Sequence, residues 1–270
     1  MGLEPTTSGT TNRRSNQLSY GRHNSMQSGA RRHPNAGAGI CTAGINWEVK
    51  SALAWPKRPD MRSPGESSSD HLLGFPGMRR LPHEGIELFT LRHFLTRLEC
   101  IGLIERIDAR RHPSTIADAN GDLAFRTSET CDLDHGDPLV AAVDAKLAWI
   151  SGIDPAHGEP LQGQRYAPGQ EFKAHTDYFE PDGSDYAKYC SVAGQRSWTF
   201  MVYLGAVSAG GGTRFERIGR TFQPDEGMLL IWNNRLDDGT LNPVTLHHGL
   251  PVRKGTKYVI TRWYRERPWG

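Results

Sequence analysis

A chain of 270 residues with 32 basic and 30 acidic side chains and a net charge of +2 could make one large domain or two small ones, and 37% hydrophobic residues is low for a chain packed throughout. No run approaches the eighteen or so consecutive apolar residues of a membrane helix. The cysteines Cys41, Cys100, Cys131 and Cys190 form no C-x-x-C pair, which excludes a zinc knuckle or a thioredoxin-type motif and predicts a reducing, cytoplasmic setting.

The charge is uneven along the chain. Residues 1–80 hold 11 basic and 5 acidic side chains, so the remainder is net acidic. Residues 6–39 are mostly Ser, Thr, Asn, Gly and Arg, and cannot bury enough surface to offset their ordering entropy. The reading is a low-complexity basic tail over 1–80, without packed structure except for a short helix near 47–55, followed by one domain over 81–270. Basic tails can touch nucleic acid, but no aromatic residues interleave the charge here, and nucleic acid is not expected as a partner.

Regular structure is expected from residue 86. Residues 86–89 read as a first strand. Thr96 and Glu99 stand at capping-box spacing, ahead of a helix with Leu98, Ile101, Leu103, Ile104 and Ile107 as its apolar stripe. Asp137-Pro138 opens a second helix, whose stripe is Leu139, Val140, Val143, Leu147 and Ile150 and whose stop is Gly152. The pattern then changes to short strands at 161–166, 198–204, 228–232 and 257–264, rich in β-branched and aromatic residues between Gly, Pro and Asp turns. Helices followed by many strands predict an α+β, mainly β chain with a sandwich or barrel as its body.

His175 and Asp177 are two residues apart, so on an extended segment they share a face. With a distant third ligand such as His247 they would form the two-imidazole, one-carboxylate face that suits Fe(II) with open positions. The spacing alone is weak. Lys257 strengthens it, because it shares a strand face with Val259, Thr261 and Trp263, and a lysine turned inward needs an anion.

Several stretches together resemble the prolyl 4-hydroxylase family of Fe(II)/2-oxoglutarate dioxygenases. They are Arg126-Thr127-Ser128, the run from Leu161 to Asp177, Arg196 to Leu204, Gly210 to Phe215, His247-His248-Gly249-Leu250-Pro251-Val252, and Gly255-Thr256-Lys257 with Trp263 beyond. The likeness spans about residues 86–266 in order. It implies a double-stranded β-helix (jelly-roll) core with packed N-terminal helices. It implies His175, Asp177 and His247 as iron ligands, and Lys257, Tyr166 and Thr213 around 2-oxoglutarate. Arg126, Ser128, Glu159 and Arg196 are implied near a substrate groove. The implied cofactors are Fe(II), 2-oxoglutarate and O2, with ascorbate as a further candidate. The implied reaction is hydroxylation of an unactivated C–H, C4 of a prolyl residue in a peptide or protein, with release of succinate and CO2.

Alternatives stay open on the sequence. The substrate could be a free amino acid or other small molecule, held by Arg126 or Arg196. A non-catalytic metal- or ligand-binding jelly roll is a different class, and a zinc hydrolase would leave Lys257 without a role. The family pattern places the third ligand at His247 rather than His248, since adjacent strand residues face opposite ways. Phe172 stands where many relatives have a tyrosine, and Gly212 where an acidic residue is common. Residues 184–192 read as a polar, mobile loop over the site.

Overall fold

The computed structural model of the protein describes residues 60–64, 69–114, 124–183 and 186–269. The expected helix near 47–55, and the tail up to residue 59, lie outside the described residues. Four α-helices are present among the described residues: α1 (Ser69–Leu73), α2 (Arg97–Arg110), α3 (Pro138–Ser151) and α4 (Tyr186–Cys190). The strands in chain order are β1 (Arg79–Arg80), β2 (Leu88–Leu91), β3 (His112–Pro113), β4 (Glu129–Asp132), β5 (Gln162–Tyr166), β6 (Phe172–His175), β7 (Arg196–Tyr203), β8 (Ala209–Gly210), β9 (Thr213–Phe215), β10 (Arg220–Phe222), β11 (Leu229–Asn233), β12 (His247–Gly249), β13 (Val252–Lys254) and β14 (Lys257–Arg265).

Both long helices start where the sequence says they should. Thr96 accepts the Glu99 backbone N–H while the Glu99 carboxylate reaches back, so the capping box is complete. Asp137 caps α3 through the N–H groups of Leu139 and Val140, and Gly152 ends it at φ 65°, a left-handed turn that glycine enters without strain. All five residues of the α3 stripe are buried. The α2 stripe needs correction. Leu98 is 80% exposed and Ile101 40% exposed, and the buried face is Glu99, Cys100, Leu103 and Ile107. Glu99 turns inward because its carboxylate is tied to Thr96 and to Lys146 of α3, which rotates Leu98 to the outside.

An eight-stranded antiparallel sheet runs in the order β1-β2-β11-β7-β14-β5-β4-β3, and a four-stranded one in the order β10-β9-β12-β6. The central strands of the large sheet are buried on both faces, so they read as near-continuous apolar runs and split by alternation. Trp198, Phe200 and Val202 of β7, with Leu229 and Ile231 of β11, pack under α2 and α3. Met201, Tyr203, Leu230 and Trp232 point the other way, toward Phe215 of the small sheet. Two sheets closed over this inner layer, with helices on the outer face, make the expected jelly roll.

The packed body begins earlier than residue 81. Leu72, Phe75 and Met78 are buried in the helix-side core, and Trp198 donates its indole N–H to the Pro64 carbonyl at 3.2 Å. These contacts come from a Pro- and Gly-punctuated segment with few apolar residues, which is why composition assigned it to the tail. The expected mobile loop differs as well. Residues 184 and 185 are not described, but α4 follows directly, with Cys190 buried and Tyr189 stacked on Phe179 at 5.4 Å.

Candidate active site

His175 ends β6 and His247 begins β12, and the two are register partners across the small sheet. Asp177 lies just beyond β6. One ligand atom from each of the three side chains falls within 4.8 Å of the others, and all three residues are buried. Each imidazole is fixed by its own strand: His175 Nδ1 donates to the Lys173 carbonyl at 2.8 Å, and His247 Nδ1 to the Thr245 carbonyl at 2.9 Å. That tautomer leaves both Nε2 atoms as lone-pair donors. Burial lowers both histidine pKa values, which keeps the rings neutral as a metal requires. The donor set therefore suits a divalent transition metal such as Fe(II).

Aromatic rings hold the histidines from the side. Phe172 stacks on His175 with centroids 3.5 Å apart, and Trp232 meets His247 edge-on at 4.9 Å. Asp177 is held by Thr199 of β7, whose hydroxyl donates to Oδ2 at 2.7 Å. Sequence spacing gave no sign of Thr199, because it comes from another strand of the other sheet.

A small cavity of about 40 Å³ opens from the three residues toward Lys257, with Tyr166, Thr213, Gln164, Thr261 and Trp263 in its walls. Lys257 is 2% exposed and sits opposite Tyr166 in the β14–β5 register, its ammonium 4.9 Å from the Tyr166 ring centroid and 5.6 Å from that of Tyr203. Burial alone brings its pKa down to about 7. The Tyr203 hydroxyl lies 2.7 Å from Thr213 Oγ1 and 3.3 Å from the Phe222 carbonyl, and so holds Thr213 in the cavity wall. Tyr203 also went unnoticed as a candidate, although it lies on the inward face of β7.

The four expected substrate residues divide. Arg126 and Ser128 stay beside the cavity. Arg126 Nε donates to Ser128 Oγ at 3.1 Å, and its guanidinium lies 4.8 Å from the centroid of Phe172, which lines the pocket. Glu159 and Arg196 do not line an open groove. Arg196 grips Glu159 through two bonds of 2.6 and 2.7 Å, Arg265 adds a third at 2.8 Å, and Glu159 is 0% exposed. With both carboxylate oxygens engaged, Glu159 has none facing a substrate. Arg196 instead stacks on Trp263 at 4.0 Å and braces the cavity wall.

His248 faces away from His247. Its Nε2 meets Glu171 at 2.8 Å on the half-exposed side of β12. Gly212 has a steric reason, because a Cβ there would stand 2.9 Å from Thr221 Cγ2 and 3.1 Å from the Phe222 carbonyl.

A jelly roll with two neutral imidazoles, a carboxylate and a buried cation in one cavity defines the architecture of a mononuclear metal oxygenase. The 2OG-Fe(II) oxygenase superfamily matches residues 161–265. Prolyl 4-hydroxylase 13 of Arabidopsis thaliana is 26% identical over 80% of this chain and 85% of its own length. Probable prolyl 4-hydroxylase 3 of the same plant is 31% identical over 65% of this chain and 68% of its own length. The viral collagen prolyl hydroxylase of Paramecium bursaria chlorella virus 1, solved with 2-oxoglutarate, superposes with a TM-score of 0.52 and 26% identity, covering 66% of this chain and 95% of that one. The chain belongs to the prolyl 4-hydroxylase family of Fe(II)- and 2-oxoglutarate-dependent dioxygenases, which use Fe(II), 2-oxoglutarate and O2.

Proposed function

We propose that the protein hydroxylates C4 of a prolyl residue in a peptide or protein, with Fe(II) held by His175, Asp177 and His247. The observation that carries this reading is Lys257, a fully buried ammonium in the same cavity as the three ligands, with burial as the sole influence on its pKa. Such a group needs an anion, and the distal carboxylate of 2-oxoglutarate meets that need. Thr213 donates to the same carboxylate, and Tyr166 closes the cavity around it. Bound Fe(II), with 2-oxoglutarate and O2, supplies the oxidising chemistry that yields succinate, CO2 and the hydroxylated product. The protein's own part is to orient the reactants and keep water out. Arg126 and Ser128 lie behind Phe172 of the cavity wall, and in this reading they support the substrate side of the site from beneath.

The prolyl 4-hydroxylase names of the relatives support a prolyl substrate. A free amino acid is the weaker reading, because Arg196 is committed to Glu159 and Arg126 is bonded to Ser128, Thr130 and Gln162. The proposal includes ascorbate as the reductant that rescues oxidised iron. It also includes a cytoplasmic setting, consistent with the free, buried thiols of Cys100, Cys131 and Cys190. The catalytic unit in this reading is the packed body through residue 269.

The experiment is an anaerobic titration of the purified protein with Fe(II) and 2-oxoglutarate, followed by air and a proline-rich peptide. A weak metal-to-ligand charge-transfer band, succinate release and a peptide mass gain of one oxygen at proline are expected. Succinate without peptide oxidation would move the substrate to a small molecule. Neither band nor succinate from folded, iron-loaded protein would overturn the reading.

A further inference from the structure

The hydrogen bonds reaching Asp177 run in one direction. Thr199 and Asn234 are both 0% exposed. Asn234 follows β11 directly and donates its amide N–H to Thr199 Oγ1 at 3.0 Å, while Thr199 donates to Asp177 Oδ2 at 2.7 Å. A hydroxyl carries one proton, and an amide nitrogen can only donate. With Asn234 donating to Thr199, the Thr199 proton is committed to Asp177. The flipped amide would set Asn234 Oδ1 and Asp177 Oδ2 competing for that single proton. The backbone keeps Asn234 in place, since its N–H reaches the Ser197 carbonyl at 2.7 Å and its carbonyl receives the Asn242 N–H at 2.9 Å.

We propose that Asn234 and Thr199 form a positioning relay that ties one oxygen of Asp177 to the protein and leaves the other as a single metal ligand. The proposal rests on the reading of His175, Asp177 and His247 as the iron site. Its consequence is a matter of coordination number. Two imidazoles and one carboxylate oxygen from the protein would leave the metal room for both the 2-oxo acid and O2. A carboxylate free to rotate and chelate would take part of that room. Thr199 and Asn234 are positioning residues, since they act through Asp177.

The test is anaerobic Fe(II) titration of the full chain, with the 2-oxoglutarate charge-transfer band and the ratio of succinate to hydroxylated peptide as further readouts. Thr199→Val keeps the shape and removes the hydroxyl, and should lose about 10–100-fold in Fe(II) affinity. Its charge-transfer band should shift and more succinate should be released per hydroxylation. Thr199→Ser should restore all three readouts. Asn234→Asp replaces the donor by an acceptor and should fall between. Thermal unfolding of the metal-free variants separates general destabilisation from an effect on the metal. A folded Thr199→Val protein with the affinity, band and coupling of the parent would overturn the relay. If that variant fails to fold, the same parent-like behaviour from Asn234→Asp overturns it. Failure of the parent chain to bind Fe(II) would instead remove the iron-site reading on which the relay stands.

Discussion

His247 lies directly opposite His175 in the register of β12 and β6, with ring centroids 4.3 Å apart and each Nδ1 tied to a carbonyl two residues earlier in its own chain segment. Strand pairing, rather than loop placement, sets the gap between the two imidazoles. A change of register by one residue would bring His248 to the inner face in place of His247.

The first prediction follows from that pairing. His247→Ala should abolish Fe(II) binding and 2-oxoglutarate turnover. His248→Ala should retain most of both, because His248 is paired with Glu171 on the other face. Iron content and succinate release measure the two variants side by side, and the reverse outcome would exchange the ligand assignment.

Lys257 gives the co-substrate a pH signature. In the free pocket its pKa is about 7, and a bound carboxylate raises it. Affinity for 2-oxoglutarate should therefore be full below pH 7 and weaken as the pH rises through that value, up to the raised pKa of the complex. Anaerobic titration of the charge-transfer band between pH 6 and pH 9 reads it. Lys257→Met should flatten the profile and raise the KM for 2-oxoglutarate on the order of 30-fold, equivalent to about 2 kcal/mol. A flat profile in the parent protein would argue against the ion pair.

Glu159 should matter for stability more than for substrate affinity. Burial works to raise its pKa, but the guanidinium groups of Arg196 and Arg265 outweigh burial and hold it below the ordinary 4.5. The sign follows: its contribution is present above the unfolded value and is lost as the pH falls through the depressed folded one. Glu159→Gln leaves two buried guanidinium groups without their counter-charge and should cost about 3 kcal/mol. Urea unfolding at pH 7 and pH 3 measures both effects, and the gap between parent and variant should narrow at the lower pH.

Truncation separates the two ends of the segment first read as a tail. Removing residues 1–59 should leave 2-oxoglutarate turnover nearly intact. Removing residues 1–80 takes away Leu72, Phe75 and Met78 from the core, and should lower the unfolding midpoint and the soluble yield. Equal behaviour of the two truncations would show that these three side chains add little.

The legible parts of the fold are those with local signatures. Thr96 and Glu99, or Asp137, Pro138 and Gly152, announce a helix end within a few residues. The long strands of the large sheet are rich in β-branched and aromatic side chains. The clustering of His175, Asp177 and His247 was legible through motif order and the inward position of Lys257, since two-residue alternation says which side chains share a face. The relay through Thr199 and Asn234 was not legible, because its members lie 35 residues apart and meet through strand pairing. Arg196 and Glu159, 37 residues apart, could be placed near the site, but their mutual pairing depends on burial that no spacing encodes. Leu98 and Ile101 misled for another reason: a buried Glu99 rotated the helix, and apolar periodicity cannot anticipate an acid that faces inward.

The two ends of the proposed co-substrate site belong to different sheets. His175 and His247 are on the four-stranded one, and Lys257 is on the eight-stranded one. A 2-oxo diacid chelated at one end and ion-paired at the other must span the gap between those layers. The separation of the layers is set by Phe215, Met201, Tyr203 and Trp232 packed between them. On the proposed reading the sandwich would act as a ruler for the co-substrate. Diacids shorter or longer by a methylene should then bind more weakly than 2-oxoglutarate, which competitive titration of the charge-transfer band would measure. On that reading, replacing Phe215, which packs behind the Met201 and Trp232 walls of the cavity, would recalibrate which oxo acid the site accepts.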